Sequence, residues 1–435
     1  MPSASDAPRG RLGYHRLMMD LRKGTLRSRR DFIQVCGVAG GSLLLGFSLR
    51  SAHSATTPRH APRAAGTLNA YVRIDRDGRA TLIMPKVEMG QGTYTSLPML
   101  IAEELEMPLE AIGVEPAPPD PAVYGVDGDQ STGGSTSIRD CWLPLRKAGA
   151  AARIMLIQAA ARGWGVPAST CRAERGVVHH DGSGRQAGYG SLVSAAAALP
   201  APGDPPLKPA ADFRLIGHST ARRDIPDKTT GRTVFGIDAR IEGMRVAMIA
   251  QSPVLGGSVV EPLNEAAALA VPGVRQVVNE HDTLAVVADN TWAAIKGLRA
   301  LDLHWNDGVN ASVQQAMLVA DLEAAAQQPG AVAAHKGDPG AAMRRAQSHH
   351  EAVFHQPFLA HATMEPMNCT VQWRGQDCEI WVGTQAPDRA VAKLAGLGLK
   401  PENIQLHNHL IGGGFGRRLE VDGIVQAARI ARHVE

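Results

Sequence analysis

One kind of phrase recurs along this chain and restricts its architecture more than any other feature. A turn rich in glycine, amides or hydroxyls leads straight into a stretch of helical periodicity. It occurs at Met89-Gly90-Gln91-Gly92, at Gly133-Gly134-Ser135-Thr136-Ser137, at Thr384-Gln385-Ala386-Pro387 and at Gly412-Gly413-Gly414-Phe415-Gly416-Arg417-Arg418. Helix N-termini carry unpaired N–H groups and partial positive charge, and glycines let a ligand approach the backbone. A lone Gly-Gln-Gly is most simply a tight strand-to-helix turn. Four such turns in one chain imply a large, anionic, many-pronged ligand held by a mixed α/β (α+β) fold.

The segments between the turns support that class. Residues 71–75 and 80–84 read as a β-hairpin with Asp77-Gly78 at its turn. In 95–107, Leu97, Leu100, Ile101 and Leu105 fall at helical spacing, which puts Glu103 and Glu104 on the outward face. An alanine-rich helix is expected over 143–162. Prolines between 200 and 209 mark a boundary. Beyond it, 246–250 and 284–288 read as short buried strands, with helices at 263–270 and 291–300. In the last region, Cys369–Trp373 and Cys378–Val382 alternate as a hairpin, a helix follows over 388–394, and a strand over 404–410 enters the triple-glycine turn. A helix is expected to start at Arg417 and run to Val434. The chain stops there with no C-cap glycine, proline or polar tail, which reads as a truncated end. The expected domains are 1–55, 66–212, 213–306, a linker with helix at 307–350, and 351–435, the last incomplete.

The formal charge of +3 belongs to the first 54 residues, which hold nine Lys/Arg and three Asp/Glu and leave −3 for the rest. No basic patch is interleaved with aromatics, so nucleic acid is not an expected partner. In the basic leader, Ser28-Arg29-Arg30-Asp31-Phe32-Ile33 precedes an apolar stretch at 35–49 that is short for a membrane span. The paired arginines resemble a twin-arginine export signal, which implies a periplasmic protein that folds before crossing the membrane. An uncleaved anchor, which would leave it membrane-associated, or a basic disordered tail is the rival reading. Of five cysteines, Cys36 lies in the leader, and Cys141, Cys171, Cys369 and Cys378 lack zinc or iron–sulfur spacing. A Cys369–Cys378 disulfide is permitted in an oxidising compartment, but strand alternation favours free or buried thiols.

Taken in order, these turns resemble the molybdopterin-binding large subunit of the xanthine dehydrogenase/aldehyde oxidase family, in particular its exported branch typified by isoquinoline 1-oxidoreductase beta subunits. The likeness rests on 87–104, on 228–238, on Glu365-Pro366-Met367-Asn368, and on 381–387 and 412–418. It implies a molybdenum hydroxylase large-subunit fold, truncated at its C-terminus, with an inserted small "hammerhead" domain at 213–306. It further implies a molybdenum–pterin cofactor, with the cytosine dinucleotide form as one option. Gln385 would contact an oxygen ligand of molybdenum. The backbone of Gly414, Phe415 and Gly416, with Arg417, would contact the metal's surroundings or the pterin. Met89, Gly90 and Gln91 would hold the cofactor's tail, and Ser135, Thr136 and Ser137 its phosphates. No protein side chain would ligate the metal directly. The resemblance also implies a small [2Fe–2S] partner subunit, a cytochrome or other periplasmic electron acceptor, and a small-molecule substrate. That substrate would be an N-heteroaromatic or aldehyde oxidised with water-derived oxygen, and no Fe–S cluster would sit on this chain.

The family's general-base glutamate has no counterpart here and is expected beyond residue 435; Glu420 is a weak substitute, one step from where some relatives carry an acid. The competing reading is therefore a non-catalytic fragment or an assembly or binding protein. A nucleotide-dependent dehydrogenase fits less well, because the 412–416 glycines do not have the dinucleotide spacing. His349, His350, His355 and His361 are irregularly spaced and read as exposed or core-edge histidines rather than metal ligands. Arg417 and Arg418, at a helix start, sit against the dipole's preference and mildly favour an anionic partner.

Overall fold

The computed structural model describes residues 70–280 and 282–434, with the backbone of Val35–Cys36 and Leu43–Gly46. Apart from those two short strands, the segment on which the export-signal expectation falls lies outside the described residues. The chain divides into two units. One comprises Met1–Lys86, Gly92–Gln130 and Gly134–Pro226; the other comprises Val87–Gln91, Ser131–Gly133 and Asp227–Glu435.

In the first unit the strands Ala70–Ile74 and Ala80–Met84 pair antiparallel around the Asp77-Gly78 turn, and Ile112–Pro116 joins parallel to the second. Leu43–Gly46 extends the sheet beside Ala70–Ile74. The helices Thr93–Leu105 and Ser137–Trp164 pack together, their apolar faces forming one core with Val72, Ile74, Leu82 and Ile112. Leu97, Leu100, Ile101 and Leu105 are all buried, as helical spacing requires.

Glu103 and Glu104 correct the outward-facing expectation: both are buried. The long helix passes so close at Gly149 that a Cβ there would lie 2.9 Å from the Cβ of Glu104. At that approach the glutamates have no route to solvent, and each is met by charge instead. Arg146 Nε donates to Glu104 Oε1 at 2.9 Å, with Arg153 also 3.6 Å from its carboxylate. Glu103 pairs with Lys208 and accepts from the backbone N–H groups of Arg214, Leu215 and Ile216. Burial alone would push the Glu103 carboxyl up, but these hydrogen bonds prevail and hold it below the ordinary carboxylate range.

The second unit contains two three-stranded sheets. In one, Thr283–Ala288 lies between Val274–Asn279 and Val246–Gln251, all antiparallel. Only this central strand is fully buried; Val246–Gln251 is an edge strand whose alternate residues face outward, correcting the expectation of two buried strands. Helix Thr291–Ala300 covers the sheet and is capped by Asn290, whose side chain accepts from the Ala293 N–H at 2.9 Å. In the other sheet, Asp377–Val382 pairs antiparallel with Thr370–Arg374 and parallel with Ile404–Asn408. Cys378, Ile380 and Val382 face a core shared with helices Pro387–Ala395 and Asp422–Ala431. Cys369 and Cys378 are free thiols. Among the described residues, no helix is long and apolar enough to cross a membrane.

Candidate functional site

The centre of the second unit is built where strand Asp377–Val382 ends. Beyond it the chain makes the turn 383–386 before helix Pro387–Ala395 begins with proline in its first turn. Asn408, at the end of the neighbouring parallel strand, anchors this turn twice. Its Oδ1 accepts from Thr384 N–H at 3.0 Å and its Nδ2 donates to Thr384 O at 3.1 Å. Gln385 follows and is 3 % exposed. Its carboxamide Nε2 donates to Thr132 O at 2.8 Å, while the Thr132 N–H returns a bond to Gln385 O at 2.8 Å. The Thr132 hydroxyl accepts in turn from Val87 N–H at 2.9 Å.

Gln385 Oε1 is left buried with no hydrogen-bond partner among the described residues. Orphaned buried acceptors are uncommon and cost about 1–3 kcal/mol, so this atom marks a place where a ligand donor belongs. The turn 412–416 faces it. A Cβ on Gly414 would lie 2.8 Å from Gln385 Oε1 and 3.4 Å from Met89 Sδ. Gln385 and Met89 thus both adjoin Gly414, and only a glycine leaves this approach open. Phe415 follows with φ 51° and its ring 74 % exposed, and Gly416 with φ 91°. The N–H groups of Phe415 and Gly416 meet no acceptor among the described residues. Successive N–H donors on a left-handed backbone form a concavity suited to an anionic or oxygen-rich group.

The 87–91 loop joins this centre through the Glu88 carbonyl, which accepts from Ile411 N–H at 3.0 Å. Gly90 N–H donates to Glu88 Oε1 at 2.6 Å. Gln91 folds back on its own loop, its Oε1 accepting from Met89 N–H at 3.1 Å. Its carboxamide therefore shapes the turn, and Met89 is the loop residue adjoining Gly414. Of the second glycine turn, Gly133 lies in this unit against Leu419, whereas Ser135, Thr136 and Ser137 belong to the first unit. There Ser135 has φ 56°, and Thr136 is the N-cap of helix Ser137–Trp164, with no side-chain capping bond.

Arg417 and Arg418 differ from the sequence reading. No helix starts at Arg417; a single 3-10 turn, Arg417–Leu419, intervenes, and the helix is Asp422–Ala431. Arg417 reaches forward to that helix, both guanidinium NH groups lying 2.7 Å from the Asp422 carboxylate oxygens. This pairing is the first cause holding the Asp422 carboxyl below its ordinary range. Arg418 turns inward: it is 1 % exposed and paired with Glu365, itself 7 % exposed. Burial lowers the Arg418 pKa from its ordinary value, and Glu365 opposes that shift.

Sequence reasoning missed Thr132 and Asn408 as parts of this centre, and it placed Glu365 and Arg418 in resembling segments without foreseeing that they pair. An acid and a base separated by 53 positions carry no local signal. His349, His350, His355 and His361 are exposed, and no group of three His, Cys, Asp or Glu among the described residues is placed to hold a metal ion. His409 has a buried Nε2 without a partner among the described residues, and burial, followed by the nearby His407, lowers its pKa.

The chain matches models of the molybdopterin cofactor-binding domain over residues 37–237 and again over 324–434. It is 33 % identical to the isoquinoline 1-oxidoreductase subunit beta of Brevundimonas diminuta, over 94 % of this chain and 58 % of that protein. It is 30 % identical to a membrane-bound aldehyde dehydrogenase (pyrroloquinoline-quinone) of Gluconacetobacter polyoxogenes, over 96 % of this chain and 56 % of that one. The chain therefore spans little more than half the length of these two relatives. The crystal structure of quinoline 2-oxidoreductase from Pseudomonas putida 86 overlays on half of the chain and 34 % of its own, at 17 % identity and TM-score 0.38, too loosely to carry an argument.

Proposed function

Because this chain belongs to the molybdopterin cofactor-binding family of the xanthine dehydrogenase type, we propose that it is the cofactor-holding part of an exported oxidoreductase. The observation that carries the reading is the unsatisfied centre around Gln385: one buried acceptor without a partner among the described residues, adjoining Gly414, which Met89 also adjoins. The free N–H donors of Phe415 and Gly416 follow in the same turn. A molybdenum–pterin group is non-covalently held and rich in both donors and acceptors, and these residues fit it. When bound, that group supplies a two-electron acceptor for oxidation of a substrate carbon with oxygen derived from water.

This chain's own residues bind and orient. Gln385 offers Oε1 to a donor, with its carboxamide plane held by Thr132. Phe415 and Gly416 offer N–H groups to acceptors, and Met89 closes the side. Ser135, Thr136 and Ser137 are assigned the cofactor's phosphates, at the start of a 28-residue helix whose dipole favours negative charge. Arg417 is not assigned a contact, because Asp422 occupies its guanidinium.

The proton-abstracting role is not assigned to any carboxylate near this centre. Glu365 accepts bonds from Ile237, Asn368, Gly412 and Arg418, and Glu88 accepts from Gly90 and faces Lys228 at 3.8 Å. Glu420 is exposed. That observation keeps a second reading in play, a binding or assembly protein that holds the cofactor without turning over substrate. We further propose a [2Fe–2S] partner subunit as electron acceptor, an N-heteroaromatic or aldehyde substrate, and export through Arg29-Arg30.

The test is to purify the chain with the protein encoded beside it and measure molybdenum, pterin, iron and acid-labile sulfide. Molybdenum and pterin with turnover of a heteroaromatic or aldehyde in labelled water support the enzyme. Cofactor without turnover supports the holding protein. A folded chain with neither molybdenum nor pterin overturns both.

A further inference from the structure

We propose that Glu365 and Arg418 are positioning residues: a buried ion pair that fixes the 412–416 turn and Gln385 relative to each other for cofactor binding. The proposal rests on the cofactor reading above. Arg418 Nε donates to Gly413 O at 2.9 Å, one terminal nitrogen to Gly383 O at 3.3 Å, and the other to Glu365 O and Oε2 at 2.8 and 2.9 Å. Its own carbonyl accepts from Gln385 N–H at 2.9 Å and from the Thr384 hydroxyl at 3.1 Å. One residue therefore grips the glycine turn with its side chain and the glutamine turn with its main chain.

Glu365 completes the brace. Its Oε2 accepts from Gly412 N–H at 2.8 Å, and its Oε1 from Ile237 N–H at 3.1 Å and Asn368 Nδ2 at 2.9 Å. A Cβ on Gly412 would lie only 2.4 Å from the Cβ of Glu365, so the turn sits directly against this side chain. Buried ion pairs contribute little net stability compared with apolar residues of the same volume, so stability alone does not account for one here. What the pair supplies is geometry. Four segments far apart in sequence (237, 365–368, 383–385 and 412–418) are tied at one carboxylate and one guanidinium. Among the described residues, unsatisfied atoms near it include Asn368 Oδ1 as well as the three assigned to the cofactor, Gln385 Oε1 and the Phe415 and Gly416 N–H groups.

The experiment compares Glu365→Gln and Arg418→Lys with Val286→Ala, a control that loosens the separate core of the 283–288 strand, all in the full chain. In cofactor-free protein, hydrogen exchange is read at the amides of 412–419. In protein as purified, the rate of pterin release on warming is read by fluorescence. Both pair variants are expected to speed local exchange and pterin release about tenfold, the factor that one lost charge-assisted hydrogen bond is worth. The control is expected to lower the melting temperature and change neither. If the pair variants release pterin no faster than Val286→Ala at a matched loss of melting temperature, the pair is structural only and the proposal is overturned. If Glu365→Gln does not fold, Arg418→Lys, which keeps the charge and loses the fork, decides the matter. Wild-type chain devoid of pterin would sink the cofactor reading instead, and unchanged exchange at 412–419 would separately sink the brace.

Discussion

Replacing Gly414 by alanine tests the packing of the centre without any cofactor present. The new methyl carbon would sit 2.8 Å from Gln385 Oε1, against the 3.4–4 Å of ordinary contact. Gln385 cannot swing aside freely, because its Nε2 is bonded to Thr132 O and its backbone to Thr132 and Arg418. Overpacking of this kind costs about 1–3 kcal/mol, and straining the Thr132 bond adds about 1 kcal/mol. Removing the obstacle with Gln385→Ala has its own cost, since Thr132 O loses its donor. In the double variant the clash is gone and the remaining neighbour, Met89 Sδ at 3.4 Å, is tolerable. Urea unfolding of the four proteins should therefore give a double variant about 1–2 kcal/mol more stable than the sum of the single effects predicts. Simple additivity would mean that Gly414 and Gln385 do not touch, and the description of the centre would fail.

Other consequences are as specific. The Glu103 carboxyl titrates below its unfolded value of about 4.3, so the unfolded chain binds the extra proton. The stability it contributes is complete above that value and drains away as pH falls through the folded one, so Glu103→Gln should flatten the acid limb of urea stability measured between about pH 5 and 3. Burial pushes the Cys141 thiol to about 11 and the Cys378 thiol to about 12, so neither should react with a thiol reagent at pH 8 until the chain unfolds. Arg417→Ala breaks a partly exposed pair with Asp422 and should cost less than about 1 kcal/mol in thermal unfolding, with cofactor content unchanged.

The elements legible in the sequence are those whose signal is local. Periodicity located helix Thr93–Leu105, Asp77-Gly78 located the first hairpin, and alternation located the pairing of Thr370–Arg374 with Asp377–Val382. The glycine turns pointed to Met89, Gln385 and 414–416, which the fold brings together in one unit. What was not legible depends on partners distant in sequence. Glu103 and Glu104 look outward on a helical wheel, and only the approach at Gly149 and the arrival of Arg146 and Lys208 put them inside. Arg418 resembles Arg417 in sequence, yet one meets Glu365 in the interior and the other meets Asp422 at the surface. The glycine turn placed Gln91 in the loop, but the bond its Oε1 accepts from its neighbour Met89 N–H carries no sequence signal.

The most direct measurement is an anomalous-scattering map at the molybdenum edge from crystals of cofactor-loaded protein. The metal peak is expected beside Gln385 Oε1, with the pterin against the N–H groups of Phe415 and Gly416. A peak remote from Gln385, in crystals whose protein contains stoichiometric molybdenum, would contradict the account.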